Sequence, residues 1–355
     1  MYYLTRSPHG GDIYQDNITL DFSANTNPLG TPPCVIAAAR EALEHADRYP
    51  DPYCRALVRA IAEYEGVPAS NILCGAGAAE LIYAFCAATK PERAAELAPT
   101  FSEYSTALAL NGCEIRRYAL RQGNDFLPDK EFLKFLQTEQ PEAVFLCNPN
   151  NPTGRLLPTA LPEEIAAFCK EKNIRLFLDE CFLELSDGRE SLKGRLAEFP
   201  GLFILKAFTK TYGMAGLRLG YCLSTDAALL GRMAELTPPW NVSSVAQAAG
   251  VAALRERAFL DETLALVRAE RPRLKAELEA LGLWVCPSEA NFLLFRGPED
   301  LQLQLRRRGI ALRDCTNFPG LGPGWYRAAV RTHRENEKLI SVMKGVLSFP
   351  AGGGE

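Results

Sequence analysis

The middle of the chain alternates short apolar runs with amphipathic stretches, and this alternation restricts the fold more than any other feature. Ala143-Val-Phe-Leu-Cys147 is apolar throughout and leads into turn residues, the pattern of a parallel strand buried on both faces. Pro162–Lys172 gathers Ile165, Phe168, Cys169 and Lys172 on one side, with acids in its first turn, and reads as a helix. Arg175–Leu178, Leu202–Leu205 and Leu219–Leu223 read as further strands. Strands that alternate with helices imply an α/β domain with a mainly parallel sheet. A helical pattern then starts near Ser244 and passes Arg271, with a break or kink expected before Pro272 and an end at Gly282. Beyond it come a strand at Asn291–Phe295, a helix at Asp300–Arg308, strands near Ile310 and at Tyr326–Val330, and a helix from Glu335. That mixed order is α+β. The expected division is a large domain over residues 36–250 and a smaller one built from residues 1–35 and 251–355. The closing Ala351-Gly-Gly-Gly-Glu355 reads as a frayed end.

Composition narrows the function classes. The chain has 355 residues, 47% of them hydrophobic, and a net charge of −4, so neither nucleic acid nor an anionic membrane is implied as a partner. Its eleven cysteines are odd in number and scattered without a CxxC, which argues for a reducing cytoplasm and against a disulfide frame or a structural zinc site. Three histidines set aside a His-rich catalytic or metal centre. Met1–Arg6 lacks the apolar core of a secretion signal, and the longest uncharged run, Leu236–Leu254, is too polar to span a membrane.

Chemistry-bearing residues cluster just after the expected strands, where an open α/β sheet places its ligands. Asn148-Pro-Asn-Asn-Pro-Thr-Gly154 follows Cys147, and Asp179-Glu-Cys-Phe182 follows Leu178. Lys206-Ala-Phe-Thr-Lys210 leads through a Gly-rich turn to Arg218. Upstream, Cys74-Gly-Ala-Gly-Ala-Ala-Glu80 opens a helix. Such a turn caps a helix or presents backbone N–H groups to a phosphate. An Asp at the end of a buried strand either meets a cation or caps a helix. A lysine at such a site is either solvated or, with a lowered pKa, ready for Schiff-base chemistry.

Taken in order, the Gly-rich turn, Asn-Pro-Thr-Gly, Asp, Lys and Arg resemble the fold type I pyridoxal-phosphate enzymes of the class I and II aminotransferase superfamily. The resemblance covers nearly the whole chain. It implies a large domain with a mainly parallel sheet, a smaller α+β domain, a homodimer and pyridoxal 5′-phosphate as cofactor. It implies that Lys210 forms the Schiff base with the cofactor and that Asp179 pairs with the pyridinium nitrogen. By the same resemblance Asn151 meets the ring 3′-oxygen and Phe101 stacks on the ring. Gly77, Ala78, Ala79, Thr209 and Arg218 hold the cofactor phosphate, and Tyr49 reaches across a dimer to the neighbour's phosphate. Ala207 stands where relatives carry a serine, and Ala78 and Ala79 replace polar residues. Backbone donors remain there, with Lys206 and Tyr49 as candidates to make up the loss.

Within the superfamily the chain is most similar to threonine-phosphate decarboxylases and next to histidinol-phosphate aminotransferases. His9-Gly-Gly11 with Leu20–Gly30, Phe182 in place of the usual tyrosine, and Ala311–Gly320 followed by Trp325–Arg331 carry the decarboxylase likeness. That likeness implies a phosphorylated amino-acid substrate. His9 and Arg313 would hold its phosphate, Arg327 its carboxylate, and Asn25 would also line the substrate site. The implied reaction turns L-threonine O-3-phosphate into 1-amino-2-propanol phosphate and CO2, a step toward cobalamin. Serine phosphate is a possible second substrate, and aminotransfer on histidinol phosphate is the alternative. A non-catalytic regulatory module is disfavoured, because Lys210 is intact and no basic helix-turn-helix precedes Tyr49.

Overall fold

The computed structural model describes residues 8–188 and 190–348. The frayed end expected at Ala351–Glu355 and the segment Met1–Arg6, expected to lack the apolar core of a secretion signal, lie outside them. The described residues form thirteen strands: β1 Leu20–Asp21, β2 Ile72–Gly75, β3 Arg93–Ala98, β4 Glu114–Ala119, β5 Ala143–Cys147, β6 Arg175–Asp179, β7 Leu202–Ala207, β8 Gly220–Ser224, β9 Trp284–Val285, β10 Phe292–Arg296, β11 Ile310–Ala311, β12 Arg313–Asp314 and β13 Trp325–Ala329.

Seven strands make the large sheet, in the order β2-β8-β7-β6-β5-β3-β4. β8 runs antiparallel to β2 and to β7; the pairs from β7 across to β4 are parallel. The mainly parallel sheet expected from the alternation is therefore present. Every residue of β5, β7 and β8 is buried, as a sheet covered on both faces requires. Phe145, Phe177 and Phe203 sit in register on β5, β6 and β7, and their rings stack at 4.8 and 4.9 Å. Phe85, from the helix Ala78–Thr89, packs edge-on against Phe177 at 4.9 Å.

The four-stranded antiparallel sheet β12-β13-β10-β9 lies later in the chain. β1 pairs in parallel with β11, and the Ala329 amide donates to the Phe22 carbonyl at 2.9 Å. Leu20 and Phe22 thus pack into the core of the C-terminal elements.

The helix is not broken at Pro272. The helical stretch breaks between Ser244–Ala253 and Arg257–Ala280, and Pro272 lies inside the second helix. A proline inside a helix costs one backbone hydrogen bond. Here Leu260, Val267, Leu274 and Leu278 bury one side of the helix on both sides of Pro272, and that packing offsets the loss. The true break falls where Glu256 leaves helical geometry, with φ −89° and ψ 55°, in a charged run that carries neither Gly nor Pro.

Candidate active site

A cavity of about 190 Å³ lies at the edge of the large sheet where the parallel strands end. Side chains two apart in a strand share a face. The face that carries Phe145, Phe177 and Phe203 therefore continues to Cys147, Asp179 and Ala207, and all three line the cavity. Because β8 is antiparallel, its amino end meets the same edge: Gly220 pairs with Gly75 and with Ala207. Arg218, two residues before Gly220, is delivered to the cavity by that reversal.

His9, Asn25, Ala78, Ala79, Phe101, Asn151, Asp179, Thr209, Lys210, Arg218, Arg313 and Arg327 all line this one cavity. Gly77 stands immediately behind it, where an added Cβ would lie 2.8 Å from Arg218 Nη2. Gly77 has φ +92° and Arg218 φ 59°, so a glycine is required at the first position and strain is stored at the second. Tyr49 is the exception. It is 80% exposed, away from the cavity, and its ring stacks on Trp240 at 4.6 Å. Lys206 does not replace the missing phosphate donors. One residue off the cavity face, its Nζ lies 3.1 Å from Glu65 Oε1 and 3.4 Å from Glu184 Oε1.

Hydrogen bonds fix the polar residues. Asp179 accepts from the Tyr104 hydroxyl at 2.5 Å and from the Cys181 amide at 2.9 Å. Burial raises the Asp179 carboxyl above its ordinary range, against those two donors and the charge of Lys210. Arg327 donates from Nη1 to Asn151 Oδ1 and from Nη2 to the Ser23 carbonyl at 2.9 Å. Arg313 donates to the Asp314 carbonyl at 2.5 Å and to Asn317 Oδ1 at 2.7 Å, with its guanidinium 5.1 Å from the centre of the Phe318 ring. Burial lowers the Lys210 amine to about 8, and the charges of Arg327 and Arg218 push the same way while Cys181 and Asp179 oppose them. Burial likewise lowers Arg327 to about 10, assisted by Arg313.

Tyr104, Ser23 and Phe318 escaped the reading of the sequence. Tyr104 carried a usable signal: it lies three residues after Phe101, so the first turn of the helix Ser102–Leu110 aligns the two. Ser23 and Phe318 reach the cavity by long-range packing and carry no local signal.

These residues fit pyridoxal phosphate. The helix Ala78–Thr89 starts at the cavity with no side-chain cap, and Arg218 and Thr209 stand beside it, as a phosphate dianion requires. Asn25 is buried in the wall, and neither of its side-chain amide atoms has a partner among the described residues. The Arg327 Nε is likewise buried and unpartnered.

Neutral amine at Lys210 accumulates above pH 8, well below the ordinary lysine range. Labelling of the cofactor-free protein with an uncharged acylating reagent, followed by peptide mass analysis, should reach half its maximum at Lys210 near pH about 8. Arg327→Gln should move that midpoint upward, and a wild-type midpoint near about 10.4 would contradict the electrostatics described here.

Residues 17–343 match the family model for aminotransferase class I and II. The chain is 39% identical to a threonine-phosphate decarboxylase of Salmonella typhimurium, covering 97% of this chain and 98% of the relative. It is 35% identical to a histidinol-phosphate aminotransferase of Desulfitobacterium hafniense, covering 94% and 92%. Among solved structures it is similar to the histidinol-phosphate aminotransferase of Clostridium acetobutylicum, with a TM-score of 0.86, 28% identity, and 93% and 99% of the two chains covered. The chain belongs to the class I and II aminotransferase family of pyridoxal-phosphate-dependent enzymes.

Proposed function

We propose that the protein decarboxylates L-threonine O-3-phosphate to 1-amino-2-propanol phosphate, a step suited to cobalamin biosynthesis. The observation that carries this reading is the placement of two arginines. Arg313 on β12 and Arg327 on β13 are directly opposed across the small sheet, both are buried, and both face the cavity. Like charges directly opposite in a sheet destabilise it. No carboxylate of the described residues lies within salt-bridge distance of either arginine. A substrate with two anionic groups compensates both. The 39% identity to a threonine-phosphate decarboxylase supports the same substrate class.

Bound pyridoxal phosphate supplies an electron sink that weakens the substrate bond held perpendicular to its ring. Lys210, Asp179, Asn151, Thr209, Arg218 and the turn Gly77–Ala79 are the residues that would hold it. Tyr104 positions the Asp179 carboxylate, and Phe101 supplies an aromatic wall. Arg327 orients the substrate carboxylate as a planar fork, while Arg313 and His9 anchor the phosphate at the other end. That two-point hold selects which bond at the α-carbon is aligned. Lys210, whose amine titrates near 8, can then return a proton to the α-carbon after CO2 leaves. Phe182 lines the same cavity and brings no hydroxyl to it.

The same reading divides the chain into the large domain 36–250 and the small domain 1–35 with 251–355. The large sheet, which lies wholly within residues 72–224, supports that division. It also places the protein in the cytoplasm: all eleven cysteines are free, and ten are buried. No helix among the described residues is long and apolar enough to cross a membrane. The protein acts as a homodimer in this reading. Tyr49, Tyr53 and Trp240 are 80%, 70% and 45% exposed, an aromatic surface suited to a second copy. Sedimentation should give a dimer mass, and a fully active monomer would contradict it.

The decisive assay supplies threonine phosphate to the holoenzyme without 2-oxoglutarate. Stoichiometric CO2 and 1-amino-2-propanol phosphate are expected, and Arg327→Lys should lower kcat/KM on the order of a hundredfold through loss of the fork. No CO2, together with glutamate formed from histidinol phosphate and 2-oxoglutarate, would establish the aminotransferase instead. Serine phosphate lacks one methyl group, which a pocket discriminates by only about 1–3 kcal/mol, so slower turnover of it is expected.

A further inference from the structure

Glu103 borders the cavity without lining it. It is in the first turn of the helix Ser102–Leu110, immediately after Ser102, which lines the cavity. Its side chain is 15% exposed, and its Oε1 lies 2.9 Å from His9 Nε2. Its second oxygen accepts from the Tyr83 hydroxyl at 2.8 Å, and Tyr83 belongs to the helix that starts at the Gly77 turn. The His9 ring also stands edge-on to Phe101, with centroids 6.2 Å apart. Two helices of the large sheet therefore meet the N-terminal segment at this imidazole.

The contact constrains which protons the ring can carry. A neutral imidazole has one donor and one acceptor. With Nε2 donating to the Glu103 carboxylate, a neutral ring offers Nδ1 as an acceptor, which a phosphate oxygen repels. A protonated ring donates from both nitrogens, so one can serve the Glu103 carboxylate and the other an anion in the cavity. Arg313 lines the cavity with His9, and the same two residues line a second cavity of about 380 Å³ together with Asp12, Asp314 and Arg306.

We propose that Glu103 is a positioning residue that makes the site selective for phosphorylated amino acids, by fixing His9 as a two-donor cation at the phosphate end. The proposal rests on the reading of His9 and Arg313 as phosphate holders. Glu103 touches neither substrate nor cofactor; it acts through His9, and Tyr83 holds it in place.

The test compares holoenzyme variants on O-phospho-L-threonine as substrate and L-threonine as competitive inhibitor. Glu103→Gln keeps the shape and loses the charge. It should raise KM for the phosphorylated substrate on the order of tenfold, with kcat within about twofold, and leave the inhibition constant of L-threonine unchanged. Added to His9→Ala it should cost nothing further, because both act through one imidazolium. Tyr83→Phe removes one hydrogen bond to the carboxylate and should raise KM in the same direction by less; it carries the test should Glu103→Gln not fold. Equal weakening of both ligands, or full additivity with His9→Ala, would overturn the role of Glu103. A wild-type enzyme that prefers phosphothreonine, with Glu103→Gln unchanged from it, would overturn the Glu103 role alone. A wild-type enzyme with no preference for the phosphorylated ligand would overturn the decarboxylase reading as well.

Discussion

Two lysines four residues apart show what the structure depends on. Burying an ammonium is costly unless carboxylates face it. Lys206, on the covered side of β7, meets Glu65 and Glu184, with Glu180 nearby, and its pKa is driven upward. Glu65 in turn accepts from Lys193 at 2.6 Å and from the Tyr221 hydroxyl. Lys210, in the turn beyond the same strand, is lowered to about 8 by its burial and by the charges of Arg327 and Arg218, against the opposing charge of Asp179. The sheet's period of two sends Lys206 to one side and Ala207 to the other, and the short helix Phe208–Thr211 then carries Lys210 into the cavity. One lysine is a structural cation. The other, in the function proposed above, is the base and nucleophile.

The rest of the cavity follows the same logic of unbalanced positive charge. Arg218 is delivered by the reversal at β8, and Arg313 and Arg327 by opposed strands of the small sheet. Asp179 is the one carboxylate in the wall among the described residues, and it is already committed to Tyr104 and Cys181. A net charge of −4 for the whole chain says nothing about this local excess of cations. In the function proposed above, anionic groups of cofactor and substrate are what such a wall recognises, and local placement rather than global charge sets the ligand class.

Much of this was legible in the sequence because strand ends and turns are local. Asn151, Asp179, Lys210 and Arg218 each follow or precede an apolar run, and an open α/β sheet brings such ends together. Ser23, Phe318 and Glu103 were not singled out, because their roles come from contacts between distant segments; Tyr104 was missed although its spacing from Phe101 is a local signal. His9 meeting Glu103 spans ninety-four positions of chain, which no local pattern encodes. The side chain of Lys206 was misjudged for a different reason. Its neighbours in sequence are those of Lys210, and only the strand's alternation separates them. The helix break at Pro272 failed because local propensity was outweighed by the buried row of Leu260, Val267, Leu274 and Leu278.

The central claim is that the cofactor is held at the lysine left without carboxylate partners. Reduction of the holoprotein with borohydride, followed by proteolysis and mass mapping, locates the covalently trapped cofactor directly. A single adduct on Lys210 is the result this account predicts. An adduct on Lys206, or on Lys193 beside it, would contradict the account.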